Sequence, residues 1–293
     1  MTGVKLGSAP DSWGVWFPDD AKQPPWTRFL DEIAEAGYHW TELGPYGYLP
    51  TDPAVLEREL ASRGLELTAG FVKFDLEDPQ AWPRAEAELD ELAALLRAVG
   101  GEYLVVIDEL YTEEASGATR FGPTLDDATW AQLVETTARV NDAADRRGLK
   151  PVFHPHSQTH VEHEDQIERL LEDVDGIELC LDFGHHAYSG GEPVSFFARH
   201  RDRIPYLHLK SVDAEMRDRV AQEGLSFAEA VADGVFVEPS LGAVDFEALR
   251  GLIVANGYDG YAIVEQDMYP VDFDRPLPIA KRTHDYLTGL GLG

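Results

Sequence analysis

Residues 177–186 have the sequence Ile-Glu-Leu-Cys-Leu-Asp-Phe-Gly-His-His, in which a short apolar run ends at an aspartate and two histidines follow. A short run of this kind, bounded by polar and glycine residues, is typical of a buried parallel β-strand. The same transition recurs where Phe153 precedes His154 and where Val264 precedes Glu265. Residues 177–186 are therefore one unit of a repeating strand-and-polar-end pattern.

Working outward, the apolar runs alternate with amphipathic segments along the whole chain. The predicted strands span residues 4–7, 40–43, 65–72, 103–107, 151–153, 177–181, 206–209 and 261–264. The predicted helices span residues 26–36, 53–64, 79–99, 126–147, 164–171, 194–199, 245–255 and 278–287. Alternation of this kind implies a parallel sheet with right-handed crossovers, and eight strands are the number that closes a (β/α)₈ barrel.

An open, doubly wound sheet is the competing fold, but no glycine-rich nucleotide-binding loop follows an early strand. No linker divides the chain, so we predict a single TIM-barrel domain over residues 1–293. The irregular stretch 212–244, between the seventh and eighth strands, is expected to be a helical insertion over one end of the barrel.

The composition excludes several classes of protein. The chain of 293 residues carries 24 Lys and Arg against 54 Asp and Glu, a formal net charge of −30. Such a charge disfavours nucleic acid and anionic membranes as partners. One cysteine excludes a disulfide framework or a Cys-rich zinc module. Without an apolar run long enough to span a bilayer, or a signal peptide, the chain is expected to be cytoplasmic.

The polar residues at the strand ends should converge, because functional groups of such barrels collect at the C-terminal ends of the strands. The candidates are Glu42, Asp108, Glu109, His154, His156, His160, Asp182, His185, His186, His208, Lys210, Glu265, Gln266 and Asp267. Four on consecutive strands form a potential divalent-metal set: His154 or His156, with Asp182, His208 and Glu265. Mixed imidazole and carboxylate ligands favour Mn²⁺, Co²⁺, Fe²⁺ or Zn²⁺.

Other residues have two interpretations at this level. Glu42 is either a substrate contact or a structural hydrogen-bonding group. The aromatic residues after the first two strands form either the packing of a lid or a platform for sugar stacking; they are Trp13, Trp16, Phe17, Tyr46 and Tyr48. Cys180 lies within a predicted strand and is expected to be a small buried hydrophobic residue.

The chain resembles the xylose-isomerase-like barrels, a family of sugar isomerases, epimerases and their relatives, and within it the inosose dehydratase-like proteins. The resemblance runs essentially end to end. It is carried by Ala9-Pro10-x-Ser12-Trp13-Gly14, Glu42-Leu43-Gly44-Pro45, Leu49-Pro50-Thr51-Asp52-Pro53, His154-Pro155-His156, Leu181-Asp182-Phe183-Gly184-His185, His208-Leu209-Lys210-x-Val212 and Val264-Glu265-Gln266-Asp267.

The resemblance implies a metal-dependent lyase that dehydrates a keto-cyclitol such as 2-keto-myo-inositol, with Mn²⁺ as the first choice of ion and Co²⁺, Fe²⁺, Zn²⁺ or Mg²⁺ as the others. It implies metal ligation by His154, Asp182, His208 and Glu265. The catalytic acid and base are expected among His156, His185, Lys210 and Glu265. We expect substrate contacts from Glu42, Trp13, His160 and Glu109.

Three other functions stay open at this point: a metal-dependent sugar isomerase or epimerase, a lyase that cleaves 3-keto-glycosides, and a sugar-binding barrel without catalysis. Epimerases of this family usually carry a glutamate at the end of the fifth strand, where this chain has His154. Arginines are scarce at the strand ends and no phosphate-binding loop is evident. We therefore predict a neutral polyol or keto-sugar partner, with self-association into a homo-oligomer left open.

Overall fold

A computed structural model describes residues 3–113 and 117–293 of the chain. Eight strands form one sheet, in the order β5-β4-β3-β2-β1-β10-β7-β6, and every neighbouring pair is parallel. The strands are β1 (Lys5–Ser8), β2 (Trp40–Glu42), β3 (Glu66–Phe74), β4 (Tyr103–Asp108), β5 (Lys150–Phe153), β6 (Cys180–Asp182), β7 (Tyr206–Leu209) and β10 (Tyr261–Val264).

A single parallel bridge, between Phe153 and Leu179, links the two ends of this sheet into a nearly closed barrel. The predicted TIM-barrel fold is confirmed. The sixth strand is shorter than predicted: residues 177–179 contribute only that bridge, and the strand itself is Cys180–Asp182.

The outer helices are α1 (Trp26–Glu35), α2 (Pro53–Ala61), α3 (Trp82–Val99), α4 (Asp127–Arg146), α5 (Glu164–Asp173), α6 (Phe183–Tyr188), α7 (Pro193–His200), α10 (Phe246–Asn256) and α11 (Pro276–Gly289). Local sequence explains several of their starts. Asp52 caps α2 by accepting from the Val55 amide, and Pro53 takes the first turn, where a missing N–H costs nothing.

Residues 211–237 leave the barrel between β7 and β10. Strand β8 (Ser211–Val212) pairs antiparallel with β9 (Phe236–Val237), and helices α8 (Ala214–Glu223) and α9 (Phe227–Ala232) lie between them. None of the helices in the described parts of the chain is both long and apolar enough to cross a membrane.

Three tyrosines fill the interior of the barrel beneath the C-terminal ends of the strands. The rings of Tyr103, Tyr206 and Tyr261 lie 4.9 to 5.9 Å apart, in tilted and edge-on arrangements. The Tyr206 hydroxyl is fully buried and points towards the end of β2, where it meets Glu42 and Thr68. The interior of the barrel is therefore packed rather than hollow, and these rings support the strand-end residues from below.

Candidate metal centre and active site

Four side chains at the ends of β5, β6, β7 and β10 converge on one point. The ligand atoms of His154, Asp182, His208 and Glu265 all lie within 4.8 Å of one another, and each residue is at least nine-tenths buried. His154 Nδ1 is buried and has no hydrogen-bond partner. A buried, unpaired nitrogen is costly, so this donor set fits a cation better than it fits an empty space. Two imidazoles and two carboxylates suit Mn²⁺, Co²⁺, Fe²⁺ or Zn²⁺.

Helix α6 orients one of these carboxylates. Asp182 ends β6 and caps the helix that follows at once, because its Oδ1 accepts from the amides of Gly184 at 2.7 Å and His185 at 2.8 Å. The other oxygen, Oδ2, faces the centre and lies 3.7 Å from His208 Nδ1. Although burial alone would raise the pKa of Asp182, Lys210 and His208 hold that pKa below its ordinary value.

Glu42 orients the imidazole of His208. His208 Nε2 lies 2.9 Å from Glu42 Oε1, and the Tyr206 hydroxyl donates to the same oxygen at 2.9 Å. A carboxylate accepts, so Nε2 carries a proton, and Nδ1 points towards Asp182 and Glu265, where its lone pair would be available to a bound cation. Burial opposes a positive charge on His208, but the groups around it, Glu265 and Glu42 among them, raise its pKa well above the ordinary value. Nδ1 is 3.1 Å from Glu265 Oε2. The second of the two interpretations of Glu42, a structural hydrogen bond, therefore has direct geometric support.

Lys210 is the buried cation of the site. Its Nζ lies 2.8 Å from Asp267 Oδ2, 3.1 Å from Glu265 Oε2 and 3.2 Å from Asp182 Oδ2. It also lies 3.0 Å from His185 Nε2. Burial opposes the charge, but the carboxylates around the amine raise the pKa of Lys210 well above its ordinary value. The ammonium therefore persists at neutral pH and donates to His185 Nε2.

Two further histidines stack beside Lys210, with the ring centroids of His156 and His185 3.8 Å apart. His156 Nδ1 lies 2.9 Å from the Ser157 carbonyl, which can only accept, so Nδ1 carries the proton and Nε2 has the free lone pair. His185 Nδ1 contacts Ser157 Oγ at 2.9 Å. Burial is the main reason that the pKa of His156 falls to about 3, and it also lowers the pKa of His185. Both rings are neutral imidazoles.

A cavity of about 110 Å³ opens over these groups. Its polar wall contains His154, His208 and Glu265 of the four-residue set, together with Lys210, His156, His185, Asp11 and Asp267. Six apolar residues also line the cavity, and we call them the apolar wall: Trp16, Phe71, Val105, Ile107, Leu110 and Phe227.

Of the four residues predicted to contact substrate, only Glu42 lines the cavity. Trp13 does not: its ring is fully buried against Phe29 and its Nε1–H donates to Glu32 at 2.8 Å. Trp13 belongs to the core because it lies in the tight turn after β1, whereas Trp16, three residues later, reaches the cavity. Glu109 lies outside the lining, 3.6 Å from Lys73.

His160 belongs to a separate cluster away from the cavity lining. Its Nδ1 lies 3.0 Å from Asp108 Oδ2 and its Nε2 lies 3.2 Å from the Gly122 carbonyl. Both ring nitrogens face acceptors, so the ring is an imidazolium that already supplies the positive charge between Asp108 and Glu77. Burial and the charge of Asp108 raise the pKa of Glu77 to about 7. This cluster ties the loop after β5 to the end of β4.

Sequence reasoning gave no role to several residues that line the cavity, Asp267 and Phe227 among them. Asp267 was named among the strand-end candidates, so its position carried a signal. Phe227 carried none, because it lies within the 212–244 insertion and only the path of that segment brings it over the barrel.

Comparison with known proteins agrees with the architecture. The family model for the xylose isomerase-like TIM barrel matches residues 30–289. The inosose dehydratase of Lacticaseibacillus casei is 31% identical, with 97% of this chain and 96% of that protein covered.

Two solved structures share the fold. The probable 3-DHS dehydratase AsbF, involved in petrobactin synthesis in Bacillus anthracis, superposes with a TM-score of 0.74 at 17% identity, covering 97% of this chain and 99% of that one. The IolI protein, whose crystal structure holds a zinc atom, superposes with a TM-score of 0.71 at 17% identity, covering 98% of each chain.

Proposed function

The chain belongs to the xylose isomerase-like TIM barrel family, among its inosose dehydratase-like members, and on that premise we propose that it is a metal-dependent dehydratase of keto-cyclitols such as 2-keto-myo-inositol. The observation that carries the proposal is the buried set His154, Asp182, His208 and Glu265 beside two neutral imidazoles and one ammonium. Together these groups supply an ion site, a base and an acid within one cavity.

The four-residue set would hold the divalent ion, with Mn²⁺ as our first choice. A bound ion of this kind would polarise the carbonyl of the substrate as a Lewis acid and so acidify the neighbouring C–H. Glu42 fixes the tautomer of His208 and α6 fixes Asp182. The protein itself therefore presents one lone pair from each of these two residues.

His156 is the base that we assign to the first proton transfer. Its Nδ1–H is committed to the Ser157 carbonyl, so Nε2 is free to accept the proton on the carbon next to the carbonyl. The electron pair of the broken C–H bond becomes part of the new carbon–carbon double bond. His185 cannot take this role as readily, because Lys210 already donates to its Nε2.

Lys210 is the acid that we assign to the second step. Its ammonium lies beside Glu265 and Asp267 at the polar wall, and it can donate a proton to the β-hydroxyl as that group leaves as water. His185 supports the amine through the 3.0 Å contact at Nε2. The proton gained by His156 and the proton lost by Lys210 balance, so the net change is the loss of one water molecule.

Several features support a neutral cyclic polyol as the substrate. Carboxylates crowd the polar wall, with Asp11, Glu42 and Asp267 in addition to Glu265 of the four-residue set. The four carboxyl groups in the cavity lining outnumber its two lysines, Lys73 and Lys210, which disfavours a phosphate ester. The apolar wall suits the C–H groups of a ring. His154 at the end of β5 supports dehydration over epimerisation, since an epimerase would need a second carboxylate there for proton transfer on the other face.

A spectrophotometric assay tests the proposal. Purified protein, stripped of metal with a chelator and then given Mn²⁺ or Co²⁺, should convert 2-keto-myo-inositol into a product with the ultraviolet absorbance of an enolised dione. The chelated protein should be inactive. Turnover of sugar phosphates without turnover of keto-cyclitols would overturn the assignment of the substrate class.

A further inference from the structure

Gln158, in the loop after β5, has a backbone conformation that its side chain does not favour. Its φ is 58°, and it is the one residue other than glycine with a positive φ in the described parts of the chain. Left-handed backbone is strained for a residue with a Cβ, and glycine or asparagine is the usual occupant. A glutamine at this position therefore needs a compensating role for its side chain.

The side chain of Gln158 joins two other loops. Its Oε1 accepts from Thr112 Oγ1 at 2.6 Å and from the backbone amide of Phe227 at 3.1 Å. The backbone of Gln158 is held as well: its amide donates to Glu162 Oε2 at 2.7 Å, and its carbonyl accepts from the Tyr111 amide at 2.8 Å. The loops after β4 and β5 and the 211–237 segment thus meet at one amide oxygen.

The bond to Phe227 serves the start of α9. The first amides of a helix have no partner within the helix. Ser226 caps the amide of Glu229, and Glu229 in return accepts from the Ser226 amide. The amides of Phe227 and Ala228 remain, and that of Phe227 donates to Gln158 Oε1. The glutamine acts as a cap supplied from the barrel to a helix of the insertion.

The ring of Phe227 lies over the proposed catalytic histidines. Its centroid is 5.2 Å from that of His156 and 5.6 Å from that of His185, and it stacks at 6.1 Å on Trp16. Phe227 and Trp16 are both part of the apolar wall. The position of the N-terminus of α9 consequently determines how closely this wall approaches a bound ring.

We propose that Gln158 is a positioning residue that fixes the insertion over the cavity, so that Phe227 packs against His156 and the two rings together line the cavity that receives a ring-shaped substrate. The part of this inference that concerns substrate rests on the proposed function. The part that concerns α9 does not, because it depends only on the hydrogen bond between Gln158 and Phe227.

Three variants distinguish the effect of losing the side-chain hydrogen bonds of Gln158 from the effect of relieving its backbone strain. Gln158→Gly and Gln158→Asn both suit left-handed backbone, but the first lacks the acceptor and the second is one methylene too short to reach Phe227. Gln158→Glu keeps two acceptor oxygens at the same reach. A merely structural role for the position predicts that the glycine and asparagine variants gain in every property, since they relieve strain.

The experiment combines hydrogen–deuterium exchange of residues 225–232 with steady-state kinetics on 2-keto-myo-inositol. We expect faster exchange in Gln158→Gly and Gln158→Asn at an unchanged or higher thermal midpoint. We also expect a KM about three- to tenfold higher with a smaller change in kcat, the size expected from one neutral hydrogen bond. Gln158→Glu should restore slow exchange and a low KM.

Wild-type exchange in residues 225–232 of both the glycine and asparagine variants would overturn the positioning role. Faster exchange would support that role even if wild-type protein did not turn over 2-keto-myo-inositol, in which case the proposed substrate alone would fail. Faster exchange with an unchanged KM would overturn the link between Phe227 and substrate binding.

Discussion

At the scale of single residues, the proposed metal centre depends on the second polar atom of each side chain. Where that atom is hydrogen-bonded to the protein, the other atom is held facing the centre. His208 gives Nε2–H to Glu42 and keeps Nδ1 for the centre, and Asp182 gives Oδ1 to the amides of α6 and keeps Oδ2. From the strand ends, the sequence predicted that His154, Asp182, His208 and Glu265 would converge, as they do. It could not predict the tautomer of His208, because Glu42 lies 166 residues away and only the closed barrel brings the two together.

Glu42→Gln should weaken binding of Mn²⁺ or Co²⁺ by about tenfold or more, a typical effect of losing a carboxylate behind a metal-binding histidine. The physical reason is that a neutral amide holds the His208 proton less firmly and makes Nδ1 a weaker donor. Isothermal titration of the metal-free protein measures the affinity. Glu109→Gln is the matched control, because Glu109 lies outside the cavity lining beside Lys73; equal losses in both variants would contradict the role of Glu42.

Glu77 and His160 should make the protein less stable as pH rises. Burial and Asp108 raise the pKa of Glu77 from 4.5 to about 7, so the folded state retains a proton that the unfolded state releases in this range. Burial alone would lower the pKa of His160, but the hydrogen bond to Asp108 raises it above 6.5. His160 therefore stabilises the fold below about pH 6.5, and this stabilisation is lost as the pH rises through the raised pKa of His160.

Urea unfolding of the wild type and of Glu77→Gln at about pH 5 and about pH 8 measures this effect. The wild type should lose more of its free energy of unfolding between the two values than Glu77→Gln does, because the amide does not titrate. The same pH dependence in both proteins would contradict a raised pKa of Glu77.

At the scale of elements, the junction of β6 with α6 controls the position of Lys210. The sequence predicted a longer strand over residues 177–181 and only one helix, at residues 194–199, between the sixth and seventh strands. It did not predict α6, because a six-residue helix that starts at the strand end has too few turns to show a periodicity. What permits the close packing is Gly184: a Cβ there would meet the stem of Lys210.

Gly184→Ala should therefore displace Lys210 from the carboxylates. We expect dehydration of 2-keto-myo-inositol to slow by at least about tenfold, and the free energy of unfolding to fall by about 1–3 kcal/mol from overpacking. Gly251→Ala is the matched control, since Gly251 is an exposed residue inside α10 with no neighbour that a Cβ would meet. That variant should be as active as the wild type, and similar activity in the two alanine variants would refute the role of Gly184.

At the scale of the whole molecule, the alternation of apolar runs and amphipathic segments was enough to predict the barrel, because eight parallel strands with short crossovers have few other solutions. The irregular sequence of residues 212–244 indicated an insertion there. It did not indicate the path that the chain takes over the barrel. Phe227 reaches the cavity through tertiary contacts with Gln158 and Trp16, which no local pattern encodes.

Binding of the ion should stabilise the fold as a whole, since the four ligands come from four strands of one barrel. At a metal concentration a hundredfold above the dissociation constant, the free energy of unfolding should rise by about 2.7 kcal/mol. Thermal unfolding with and without Mn²⁺ measures the gain. His208→Ala should remove it and His39→Ala, a change at an exposed histidine, should keep it; a gain that survives in His208→Ala would contradict the ligand set.

The most direct test of the proposed activity is the mass of the product formed from 2-keto-myo-inositol by the metal-loaded protein in deuterated water. We predict a product lighter than the substrate by one water molecule, formed by the wild type and not by His156→Gln. A product of unchanged formula, carrying deuterium on the carbon next to the carbonyl, would show an epimerase or isomerase and would contradict the dehydratase assignment.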